Sequence, residues 1–295
     1  MATVVTDPVP GAFGARMVAA VARTGPLCVG IDPSPQLLAD WGLPDSAEGL
    51  ATFAGRCVEA LAGVVPVVKP QVAFFERHGA AGIAVLERLL ADAADAGLLV
   101  IADAKRGDVG STSAAYADAW LGEGSPLAAD AVTAHPYLGL GALAPMVEMA
   151  RRNGRGLLVV ARSSNPEGQS VQAAAAAGGR AVGDLVLEGV AALNREEGLA
   201  VGAVGAVVGA TLAGRPADGA EPAPTAFSQV GGVLLAPGLG AQGATPADVG
   251  ALFAGCAPGT VLPSASRSVL GAGPAVDALR RAAALVRDEL SAVLA

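Results

Sequence analysis

The stretch "LLVIADAKRGDVGST", residues 98–112, begins as an uncharged apolar run and then sets Asp103, Lys105, Arg106 and Asp108 within six positions. Only 16% of the chain is charged, so four charges of both signs at the end of one apolar run mark a boundary between a packed interior and a polar site. The run does not alternate apolar with polar. It therefore predicts a strand covered on both faces, as in a parallel sheet under helices.

Seven more short apolar runs occur along the chain, with helix-like segments between them. They are "LCVGID" (27–32), "VVPVVKP" (64–70), "AVTAH" (131–135), "GLLVVARSS" (156–164), "VGAVVGAT" (204–211), "GGVLLAPG" (231–238) and "TVLPSAS" (260–266). Eight strands alternating with helical patterns predict an α/β fold, a single (β/α)8 TIM barrel with an eight-stranded parallel core. Between the first two runs, Leu50, Phe53, Cys57 and Leu61 recur at helical spacing, with Asp45 and Glu48 as the expected capping pair. Thr245-Pro246 reads as another helix start. Residues 1–11 read as a loose tail and Ala12–Arg23 as a helix preceding the barrel, so residues 12–295 are expected to be one domain. The segment 213–229, "AGRPADGAEPAPTAFSQ", stands where the sixth barrel helix should lie and reads as a loop or broken helix.

Composition narrows the function. The 295 residues are 53% hydrophobic and only 3% aromatic, which suits strands packed under small-residue helices. Mean hydropathy is positive, yet the longest uncharged apolar stretch, Leu199–Gly214, is short for a membrane span and rich in Gly. It is expected to be a buried strand with flanking turns. The N-terminus lacks a basic segment followed by a continuous apolar core, so a cytoplasmic protein is expected. A net charge of −8 without long Lys/Arg runs disfavours nucleic acid and anionic membranes as partners. Cys28, Cys57 and Cys256 have no paired spacing and read as core thiols.

Residues two apart on a strand share a face, so Asp103 and Lys105 are expected to point together into the barrel mouth, with Asp108 beyond the strand end. Active sites of such barrels lie at the carboxyl ends of the strands. An anion site commonly follows strands seven and eight. There the chain carries "PGLGAQGATP" (237–246) and "SASRS" (264–268), where Gly238, Gly240 and Gly243 allow close backbone approach and Arg267 offers a bidentate fork. His78 and His135 lack partners at a useful spacing and read as packing residues. These residues alone reach a phosphate-binding α/β barrel with a Lys/Asp site.

"DAKRGDVGST" resembles the signature of the orotidine 5′-phosphate decarboxylase family, and "VVKPQ", "SSNP" and "PGLGAQG" are similar to its longer-chain bacterial branch. The resemblance implies decarboxylation of orotidine 5′-monophosphate to uridine 5′-monophosphate without a cofactor or metal. It implies Lys105 as the acid that protonates carbon six of the pyrimidine, Asp103 as the carboxylate beside the departing CO2, and Lys69 as a further member of the charged chain. Asp32 would bind ribose hydroxyls, Ser163 (or its neighbour Ser164) the pyrimidine amide edge, Gln242 both phosphate and pyrimidine, and Arg267 the phosphate. Asp108 and Thr112 would be supplied across a homodimer interface to the neighbouring site.

The chemistry explains the residue types. Loss of CO2 leaves an electron pair in the ring plane, and no motif for an organic electron sink is present, so fixed charges must stabilise it. A nearby ammonium can do so and then deliver the proton. Repulsion between Asp103 and the substrate carboxylate is worth roughly 4 kcal/mol at ~4 Å and an effective dielectric of ~20. Enzymes commonly lower barriers by ~8–23 kcal/mol, so repulsion is a minor contribution and Asp103 is better read as holding Lys105. The nearest rival is a Mg-dependent barrel, a sugar-phosphate decarboxylase or synthase sharing the D-x-K-x-x-D spacing, in which the carboxylates would bind the metal.

Overall fold

The structure is a computed structural model and describes residues 11–214, 227–240 and 242–294. Each apolar run contains one strand: β1 (Cys28–Ile31), β2 (Val67–Pro70), β3 (Leu99–Arg106), β4 (Ala131–Ala134), β5 (Gly156–Arg162), β6 (Val204–Val208), β7 (Leu234–Pro237) and β8 (Val261–Ala265). All pairings are parallel, in sequence order, and β1 closes on β8 through Cys28 opposite Ser264. The observed strands are mostly shorter than the apolar runs, because apolar residues continue into the turns. Val64 and Val65 donate to Leu61 O at the end of the preceding helix, and Thr211 belongs to a 3-10 turn over Ala210–Gly214.

Strand parity separates two apolar layers. Cys28, Val67, Ile101, Ala131, Leu158, Val207, Leu235 and Leu262 fill the barrel, while Val29, Val68, Val100 and Val132 face the surrounding helices. The helix Phe13–Thr24 closes the amino-terminal end by packing Phe13, Met17 and Val21 beneath the interior layer. Full burial of Phe13 and Met17 contributes roughly 1.5–3 kcal/mol each. Gly156 at the start of β5 is required there, since a Cβ would lie 2.5 Å from the Phe13 ring.

Two expectations about helix starts come out differently. Thr245 caps Pro246–Leu252 as expected and forms a reciprocal box with Asp248. The cap of Ala47–Leu61 is Ser46, whose hydroxyl accepts from Gly49 N–H, rather than Asp45. Asp45 instead pairs with Arg77, a long-range partner that local spacing does not reveal. Residues 1–10 of the expected tail, and 215–226 within the segment 213–229, lie outside the described residues. The flanks of that segment are 3-10 turns, Ala210–Gly214 and Phe227–Gln229. Among the described residues no helix is long and apolar enough to cross a membrane.

Candidate active site

The parity that fills the barrel also builds the site. Two residues beyond interior Val67, Ile101, Ala131 and Leu262 stand Lys69, Asp103, Thr133 and Ser264, so on these four strands the interior changes from apolar to polar at its carboxyl end. Lys69 and Asp103 are only 6% and 7% exposed, so each charge depends on its partners. Asp103 Oδ2 accepts from Lys69 Nζ at 2.9 Å and from Gln71 Nε2 at 3.1 Å. Its Oδ1 accepts from Lys105 Nζ at 2.6 Å and from Thr133 Oγ1 at 2.9 Å.

Burial alone would raise the Asp103 carboxyl, but Lys69 and then Lys105 outweigh it and hold it well below the usual carboxylate range. Burial likewise works against the Lys69 ammonium, yet Asp103 and then Asp32 shift it upward from the ordinary lysine value. The array is thus an anion clamped between two cations.

Lys105 reaches this array by a route that simple alternation does not describe. Its φ is +47°, in the left-handed region, which costs a residue with a side chain about 1–2 kcal/mol. The β3–β4 register slips there, passing from Ala102↔Val132 directly to Arg106↔Ala134. The flanking chain is pinned on both sides. Arg106 donates to Ala104 O at 3.0 Å, pairs with Glu76, and lies over the rings of Tyr116 and Trp120 at 5.8 and 5.6 Å. Asp103 and Lys105 do converge at the mouth, but through a bulge.

A cavity of about 380 Å3 opens above the array. Its walls include Asp32, Lys69, Asp103, Lys105, Ser163, Ser164, Gln242 and Arg267. A larger cleft of about 480 Å3 near the helix Phe13–Thr24 has no charged side chain in its lining. Asp32 follows β1, and its Oδ1 is buried without a hydrogen-bond partner among the described residues; the same is true of Ser266 Oγ. Buried acceptors of this kind suit ligand hydroxyls.

The glycine loop differs in detail from the expectation. Gly240 and Gly243 use their N–H groups inside the loop, donating to Ala244 O and Gly240 O at 2.9 Å each, and Gly240 does not line the cavity. Gly238, at φ +109°, does line it and leaves room for Gln242, whose Oε1 would be 3.0 Å from an added Cβ.

Asp108 and Thr112 are not in the cavity wall. Asp108 Oδ1 accepts from Val109 N–H at 2.8 Å, and Thr112 is exposed in the first turn of the helix Gly110–Leu121. Val109, next to Asp108 in the chain, is 54% exposed, and Tyr137 and Leu138 after β4 are 79% and 52% exposed. Neither histidine lines the cavity: His78 lies 3.4 Å from Asp45, and His135 N–H donates to Arg106 O. Cys28 and Cys57 are core thiols as expected, whereas Cys256 is only partly buried.

Sequence reasoning missed Gln71, Thr133, Ser264 and Ser266. Strand parity would have found Thr133 and Ser264, each two residues past an interior apolar residue; Gln71 joins the site by a lone bridge opposite Asp103.

Residues 25–282 match the family model described as the orotidine 5′-phosphate decarboxylase / HUMPS family. An orotidine 5′-phosphate decarboxylase of Salinispora arenicola is 54% identical over 282 residues, covering 96% of this chain and 98% of the relative. That of Salinispora tropica is 53% identical over the same shares. A crystal structure from Streptomyces avermitilis, assigned provisionally to the same activity, superposes with a TM-score of 0.88 at 49% identity and covers 100% of this chain and 99% of its own. The Leishmania donovani OMP decarboxylase structure superposes with a TM-score of 0.72 at 28% identity, covering 96% and 98%.

Proposed function

The chain belongs to the orotidine 5′-phosphate decarboxylase family, and from that membership and the charge array we propose that it converts orotidine 5′-monophosphate to uridine 5′-monophosphate in pyrimidine biosynthesis, as a carbon-carbon lyase. The observation that carries the mechanism is the chain Lys69–Asp103–Lys105, in which one buried carboxylate is held by an ammonium on each oxygen.

The substrate carboxylate lies against Asp103 and Lys105. As the C–C bond breaks, CO2 leaves and its bonding electron pair stays on carbon six, where the Lys105 ammonium stabilises it and then gives it a proton. Asp103 keeps Lys105 charged and aimed, and Lys69 keeps Asp103 ionised. Arg267 and Gln242 grip the phosphate, and Asp32 takes the ribose hydroxyls. Binding energy from these remote groups offsets the cost of placing an anion beside Asp103. Gly240 contributes by shaping the loop rather than by donating its N–H.

Asp108 and Thr112 complete the site of a neighbouring subunit in a homodimer. Their place outside their own cavity and the exposed apolar Val109, Tyr137 and Leu138 support this. Residues 12–295 form one domain, and the enzyme works in the cytoplasm. The metal-dependent alternative is disfavoured because Asp103 is already occupied by four side-chain donors that a cation would have to displace.

The test is a spectrophotometric assay of orotidine 5′-monophosphate consumption after exhaustive chelation. Full turnover is expected; loss of turnover restored by Mg2+ would overturn the reading.

A further inference from the structure

We propose that Thr133, buried in β4 and absent from the cavity wall, is a positioning residue that sets the geometry of Lys105 and Asp103 together. The inference rests on the decarboxylase reading, since it concerns how that reading's two reactive side chains are aimed. Between the pairs Ala102↔Val132 and Arg106↔Ala134, three residues of β3 stand opposite Thr133 alone. A regular ladder cannot satisfy a bulge of that kind, because the extra residues have no register partner of their own on β4.

The Thr133 hydroxyl stands in for the missing ladder. It accepts from the backbone N–H of Lys105 at 2.9 Å and donates to Asp103 Oδ1 at 2.9 Å. A hydroxyl has one proton, and a carboxylate can only accept, so the direction of this relay is determined by the chemistry of its ends. The backbone that must hold a left-handed turn at Lys105 and the carboxylate that must meet the Lys105 ammonium are therefore tied to a single atom. Threonine suits the task because branching at Cβ stiffens χ1 and keeps the hydroxyl aimed. The side chain is 1% exposed and does not line the cavity, so it acts through its neighbours rather than on substrate.

This role predicts a split between binding and turnover. Thr133→Val keeps the shape and removes the hydroxyl, so kcat is expected to fall about 10–100-fold, the usual range for disturbing a group that aims a reacting one. KM and the affinity for uridine 5′-monophosphate should stay within about threefold, because no ligand contact is lost. Thr133→Ser, which keeps the hydroxyl, should recover kcat to within about threefold of the parent. If Thr133→Val does not fold, as judged by near-ultraviolet circular dichroism, Thr133→Cys supplies the same comparison with a weaker donor.

The proposal is overturned if Val and Ser lower kcat equally, which would show that the hydroxyl does not by itself sustain turnover, or if the valine variant retains full kcat. It is overturned too if product affinity falls in step with turnover. A parent enzyme that does not consume orotidine 5′-monophosphate would instead sink the functional reading itself, so the two failures are distinguishable.

Discussion

Gln172 grips Ser163 with both ends of its carboxamide: Oε1 accepts the Ser163 N–H at 2.7 Å, and Nε2 donates to Ser163 Oγ at 2.8 Å. Ser163 Oγ in turn donates to Asn165 Oδ1 at 2.6 Å. The Ser163 hydroxyl thus has its one proton committed within its own loop, although it borders the cavity. Ser164 borders it too and sits beside Gly238, near Gln242, with no side-chain hydrogen bond among the described residues.

Of the two serines, Ser164 is therefore expected to read the pyrimidine. Removing one neutral hydrogen bond to a ligand costs about 0.5–1.5 kcal/mol, so Ser164→Ala should weaken uridine 5′-monophosphate roughly three- to tenfold. Ribose 5-phosphate, which lacks the base, should bind it as it binds the parent. Calorimetric titration of both ligands checks this; equal weakening of both would refute the assignment.

A shared site makes complementation measurable. Lys105→Ala and Asp108→Ala enzymes should each be nearly inactive alone. Mixed through unfolding and refolding in equal amounts, they should form about half hetero-dimers, each with one intact site of two, and so regain about a quarter of parental activity. A mixture as inactive as its components would place Asp108 outside the partner's chemistry.

The buried pair gives a pH-dependent stability signature. Asp103 is held below its unfolded pKa of about 3.9, so its contribution is present above pH ~4 and lost as pH falls toward its folded value. Lys69 is shifted upward, so its contribution is present below its unfolded pKa of about 10.4 and lost only above it. Lys69→Met should therefore cost about 3–5 kcal/mol at pH 7, the usual result of stranding one member of a buried pair. The gap to the parent should close as the pH is lowered from 4 to 2, as followed by urea unfolding. A gap that is unchanged at pH 2 would refute the electrostatic account.

Arg267 is expected to carry phosphate recognition by its planar fork. Arg267→Lys keeps the charge but not the two parallel donors, so KM should rise about tenfold or more while the pH at which the profile peaks stays put. Steady-state kinetics with inorganic phosphate as competitor provide the check. An unchanged KM would move the phosphate elsewhere.

Much of the site was legible in local pattern because strand parity is local. Apolar runs with helical segments between them specify the barrel, and alternation from Val67 and Ile101 places Lys69 and Asp103 inside its mouth. The motif at 103–108 needs no tertiary knowledge to be recognised as a cluster of charge. What the amino-acid order could not reveal depends on partners distant in the chain. Thr133 bridges Asp103 and Lys105 only because β3 bulges against β4, and Lys105 holds a left-handed backbone only inside that contact. Asp45 leaves its expected cap for Arg77, and the Ser163 hydroxyl is engaged at the cavity edge by a glutamine nine residues on. Sequence alone determined which strand residues, such as Lys69 and Asp103, stand at the barrel mouth, since period-two alternation is a property of the strand itself; which groups join them from bulges and loops, which of them touch, and in what geometry, was decided by tertiary structure, because hydrogen bonds between strands depend on register that no single strand encodes.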